Sequence, residues 1–226
     1  MKKNLTFFVV LVLVALFSII SCQPKNGVQD GSINTEIVKQ FNNLMPGSIS
    51  DDSIQKDVQN VIDKLTNEVL PIMSGKYKNQ LNEIITYLDD TKAKLPAYLE
   101  NDENRIKFLA SIMNLALLFA RVNPNDFDMN SKAATTYIVI AASVASDFNT
   151  EKINRFRDEF NEKGVHAAKA LVEKFLDNPM AYGQLAHTTL VTGGDEKEVI
   201  RLLNKCLEVD KKTEYCKEFL DYMKNE

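Results

Sequence analysis

From Ile33 to the end of the chain, apolar residues recur three and four positions apart, and the few prolines fall between these periodic stretches. The pattern predicts helices over about 33–45, 51–70, 75–95, 97–122, 131–147, 150–162, 165–177, 180–192, 196–209 and 213–224. In the second of these, Ser50 and Asp51 are candidate N-caps, and Ile54, Val58, Val61, Ile62, Leu65 and Val69 form one apolar face that must be covered. Two stretches, Ile106 to Ala120 and Ala133 to Ala145, are apolar nearly all round. Both are too short to span a bilayer, and they carry Ser111, Asn114, Thr135 and Thr136, so they are expected to be central helices packed on several sides. Their many alanines would let neighbouring helices approach closely. The expected class is all-α: a helical bundle over residues 33–147 running into an antiparallel helix-hairpin array over 148–226.

Ahead of the body the pattern changes. Lys2 and Lys3 precede an apolar run from Leu5 to Ile20, broken only by Thr6 and Ser18, which suits a secretory leader better than a spanning helix. Ile19-Ile20-Ser21-Cys22 follows directly. These residues resemble the lipobox of bacterial lipoproteins, with Ile19 where Leu is usual. The resemblance implies that residues 1–21 are removed and that Cys22 is acylated and becomes the new amino terminus. Acyl chains contribute about 0.8 kcal/mol per buried CH₂, so two or three would hold the body at a lipid bilayer without a spanning helix. Residues 22–32 are polar and turn-rich and read as a flexible tether. Gln23 stands where inner-membrane lipoproteins carry a retention Asp, which points to the outer membrane, at its periplasmic face or its surface.

A weak repeat closes the chain. Ala168, Leu171, Val172, Phe175 and Leu176 recur as Val199, Leu202, Leu203, Cys206 and Leu207. Tyr182, the pair Leu185-Ala186, the turn Gly194-Asp195 and the pair Cys206-Leu207 resemble a tetratricopeptide repeat. There is one extra residue near Thr192-Gly193, Val199 stands in place of Ala, and Lys211 in place of Pro. The resemblance covers about residues 150–226 and implies a scaffold whose groove binds a protein or peptide, with Tyr182, Gln184 and His187 as candidate exposed groove residues.

Composition narrows the chemistry. With 45% hydrophobic and 26% charged residues the chain should pack, and 8 Gly with 6 Pro are too few for the many turns of an all-β fold. Loss of Lys2 and Lys3 with the leader would take the formal net charge from −4 to −6, which repels phosphate backbones and argues against nucleic acid as a partner. Beyond Cys22, Cys206 and Cys216 flank a turn near the end, where they form either a disulfide stapling the last hairpin or two buried apolar thiols. His166 and His187 lie on different helices without metal-spaced neighbours and are expected at or near the surface. Asp126, Asp128 and Asn130 imitate the opening of a calcium loop, but Ser131 and Tyr137 replace its Gly and its closing Glu, so these residues read as helix-capping and solvated. Glu100, Asp102 and Glu103 suit the start of a helix, and the Asp89-Asp90 pair points two ways on a helix surface.

No catalytic, cofactor or metal constellation emerges, so the expected role is that of a non-enzymatic envelope lipoprotein holding a protein or peptide partner. The alternative is an accessory lipoprotein subunit of a tripartite-type solute uptake system, which would need a pocket between the helices at 97–122 and 131–147.

Overall fold

Helices with no strand among them make up the described residues, 54–145 and 151–225 of a computed structural model. The leader, Cys22, the tether and the helix expected at 33–45 lie outside the described residues. The all-α class read from the periodicity is the class the structure has.

Helix α1 (Ile54–Lys64) buries Val58, Val61 and Ile62, but it does not run straight on to residue 70. Pro71 lacks an N–H and its ring would strike the carbonyl four residues back, so regular winding cannot approach it. The chain instead widens into a π-turn (Leu65–Val69), with Leu70 N–H donating to Leu65 O, and then tightens into a 3₁₀ turn (Leu70–Ile72). This detour keeps Leu65 and Val69 fully buried and leaves Ile72 56% exposed.

Helix α2 (Gly75–Lys92) follows, entered through Gly75 at φ 55°, and α3 (Leu95–Leu99) is a single short turn. The helix expected over 97–122 is divided. Asn101 turns its side chain onto the backbone, accepting from Glu103 N–H (3.0 Å) and Asn104 N–H (3.2 Å), so α4 starts at Asp102 and ends at Val122. Phe108, Leu109, Ile112, Leu115 and Leu118 of α4 are buried in a core that α2, α3 and α5 (Phe127–Ala145) help to enclose. Each such side chain contributes roughly 1.5–3 kcal/mol by leaving water.

A second correction concerns residues 150–177. The two helices expected there are one, α6 (Glu151–Lys174), with Gly164 in its middle. Gly164 does not stop the helix; it permits contact with α5, since a Cβ there would overlap Ile138 Cδ1 and lie 2.9 Å from its Cγ1. Helices α7 (Pro179–Val191), α8 (Glu196–Val209) and α9 (Glu214–Asn225) complete the chain. Asn178 and Asp195 cap α7 and α8 through their side chains. The residue that seemed surplus near Thr192 forms the α7 C-terminus: Gly193 takes φ 76°, its N–H bonds Leu190 O, and Gly194 N–H bonds Thr189 O.

Contacts give the helix directions. Phe127 meets Phe175, Tyr137 meets Phe160 and Ile138 meets Gly164, so α5 and α6 are antiparallel. Gly183 faces Tyr215 and Cys216 while His187 faces Phe219, so α7 and α9 are parallel. One layer therefore holds α5, α7 and α9, and α6 and α8 back it.

Gly164→Ala should lower stability by about 1–2 kcal/mol in urea unfolding: the overlap with Ile138 outweighs the roughly 1 kcal/mol that Ala gains over Gly in a helix. Adding Ile138→Ala should recover part of that loss, and strictly additive losses would show that the contact is not the cause.

Candidate functional site

The residues expected on an open groove are enclosed. Tyr182 and Gln184 are each only 8% exposed, and Ala181 to Ala186 is buried without a break, because α7 lies among α5, α6, α8 and α9. Tyr182 belongs to a core formed with Leu185, Val199, Leu202, Leu203, Phe219 and Leu220. Its ring fills that core and lines no groove.

Gln184 points the other way, into α5. Its Nε2 donates to Ser131 O (2.9 Å) and Thr135 Oγ1 (2.7 Å), and its Oε1 accepts from Ser131 Oγ. An amide buried in an apolar helix must find such partners or lose its hydration uncompensated. Ser131, 3% exposed, and Thr135 were not anticipated as its partners. The available signal was the lone Gln amid Pro179–Val191, which announces a partner without naming it.

His187 keeps a partial opening to solvent, and its ring lies 6.2 Å from that of Phe219, edge to face. Burial holds its imidazole down at about 4, well below the ordinary 6.5. Nearby, Tyr215 packs against Gly183, and burial pushes its phenol above the usual range. His166, by contrast, is exposed.

The sulfurs of Cys206 on α8 and Cys216 on α9 are bonded, with the Cα atoms 6.4 Å apart and neither residue exposed at all. The staple lies against α7, since a Cβ on Gly183 would come within 3.0 Å of Cys216 Sγ. Cys22 lies outside the described residues.

The loop at 123–130 acts as a cap. Asp126 Oδ1 accepts from Met129 N–H, and Asn130 Nδ2 donates to the carbonyls of Asn123, Pro124 and Asp126. Asn130 thus turns its amide nitrogen, not an oxygen, towards those carbonyls. Asp128 is raised above the usual carboxylate range, first by burial and then by Asp126. Among the described residues no group of three His, Cys, Asp or Glu could hold a metal ion, and no helix is long and apolar enough to cross a membrane.

An open cleft of about 570 Å³ lies between α4 and α6, with Ile106 and Phe156 as its apolar part and Glu151, Lys152, Arg155 and Glu159 around it. At the end of the molecule where α4 meets α5 and α6 meets α7, Phe127 and Phe175 pack edge to face at 5.4 Å. Leu176 beside them is 58% exposed. The chain matches no described protein family, no curated protein and no solved structure.

Two outcomes follow from this region. Because folding lowers the His187 pKa, the unfolded chain binds more protons between about pH 6.5 and 4; stability contributed by the neutral ring is complete above 6.5 and declines as pH falls through that window. Urea titrations at pH 7 and pH 4 should show His187→Phe losing less stability on acidification than wild type, and equal losses would refute the assignment. Replacing Cys206 and Cys216 by Ala should cost about 2–3 kcal/mol, the loop-entropy value for so short a ring, measured by denaturant midpoint against the oxidised chain.

Proposed function

We propose that this chain is a lipid-anchored bacterial envelope protein without catalytic activity, whose helical body holds a protein or peptide partner. The observation that carries the reading is the Cys206–Cys216 bond, completely enclosed in the core, taken together with the pattern of Lys2-Lys3 and Leu5 to Ile20 and the lipobox-like Ser21-Cys22 of the sequence. A buried disulfide must form as the chain folds, which suits an oxidising compartment outside the cytosol. Acylated Cys22 then supplies the contact with the bilayer, and the repeat-like hairpins supply a rigid body.

The enclosure of Tyr182 and Gln184 moves the partner site away from the face of α7. We assign it to the apolar tip of Phe127, Phe175 and Leu176. Exposed leucines are common singly, but here one extends a pair of half-buried aromatic rings that joins the start of α5 to the turn after α6. A solute-uptake role would call for a pocket between α4 and α5. The cleft seen here lies between α4 and α6 and does not favour it.

Metabolic labelling with a fatty-acid probe should tag the wild type and leave Cys22→Ala untagged; equal tagging would end the anchor assignment. Leu176→Asp should keep the thermal midpoint within a few degrees and lose at least tenfold of any envelope protein crosslinked to the wild type. Undiminished crosslinking would remove the tip from the site.

A further inference from the structure

The described residues contain two hydrophobic cores that share no side chain. One runs from Val58 on α1 to Phe160 on α6, and the other from Ala168 on α6 to Leu220 on α9. Helix α6 passes from the first to the second at Gly164, the one position in that helix without a side chain. Where α5 meets α7, the buried contact is of a different kind. It holds the Gln184 hydrogen bonds to Ser131 and Thr135, and two small buried side chains, Ala134 of α5 and Ala181 of α7, belong to neither core. Phe127 and Phe175 close its outer end, both still partly open to water.

We infer that this α5–α7 contact is a seam that opens, so that α7, α8, α9 and the part of α6 beyond Gly164 swing away from the first half of α5 as one body while both cores stay intact. Opening exchanges three internal hydrogen bonds for bonds to water, which nearly balances, and parts the Phe127–Phe175 pair, whose rings already meet water, while leaving the side chains within each core packed. Opening either core would expose many Leu, Ile and Phe side chains at once. A helix without a Cβ at its crossing point is also the easiest place for α6 to bend. The moving part has its own lock, since Cys206–Cys216 ties α8 to α9 and Cys216 packs on Gly183 of α7. A ligand that prefers the open seam would shift the population towards it, making the seam a switch within the fold.

The test measures access to buried thiols under native conditions, in the full chain carrying Cys22→Ser so that each reporter is the only free thiol. Ala134→Cys reports the seam, Ala116→Cys the first core and Val199→Cys the second; each site is at most 3% exposed. The seam reporter should react with a thiol reagent at least tenfold faster than the other two. Adding Gln184→Ala should raise its rate tenfold further and leave theirs unchanged. One common rate, or an equal acceleration of all three by Gln184→Ala, would mean a single cooperative unit and overturn the inference.

Ala181→Cys gives a second seam reporter on α7 should Ala134→Cys fail to fold. Gln184→Glu gives an independent reading, because its carboxylate would face Ser131 O once ionised. The seam-to-core rate ratio should then climb as pH rises, and a flat ratio would overturn the inference equally.

Discussion

Everything in the carboxyl half depends on α7 having almost no free surface. A helix surrounded on nearly all sides can exist only if its neighbours approach closely, and that requires small side chains at the crossings. Gly183 admits α9, Gly164 brings α6 against α5, and Ala181 and Ala186 are fully buried between. Close approach in turn dictates chemistry. Any polar group on such a helix must be bonded within the protein, and Gln184 is bonded to α5. The same enclosure explains the depressed His187 and the elevated Tyr215, two ionisable groups held in their neutral forms beside Phe219.

Much of the fold was legible in the chain, and its errors were instructive. Of the apolar positions that the periodicity puts on a covered face at residues 54–69, Val58, Val61, Ile62, Leu65 and Val69 are buried. Periodicity of this kind reports burial directly. Boundaries were less legible, because they turn on single residues whose effect depends on what they meet. Gly164 in sequence looks like a place to stop; only the approach of Ile138 shows that it is a place to touch. Asn101 looks like any polar residue in a helix until its side chain is seen bonding Glu103 and Asn104. Pro71 warned of a break but not of the π-turn that lets Leu65 and Val69 remain inside.

The candidate site was less legible still. An aromatic and an amide at helical spacing suggested a groove, yet exposure depends on how many helices surround the element, and local pattern is silent on that. The pattern of α7 held the better clue: Gln184, His187, Thr188 and Thr189 are spread around it without a polar stripe, and a helix with no polar stripe has no solvent side. Features open to water among the described residues include the charged cleft beside Ile106 and Phe156 and the apolar tip at Leu176. The tip is built from the first residue of α5 and the turn after α6, so its shape is inherited from the packing of those two helices.

The position of the sulfur bridge has a consequence for assembly. Three cysteines permit three pairings, but the two that bond are ten residues apart, and the third lies far back at residue 22. If acylation occupies that third sulfur, only one pairing is left. Maturation then needs an electron acceptor but no isomerase, and the bond can close only after α8 and α9 have both been made and have met across their turn.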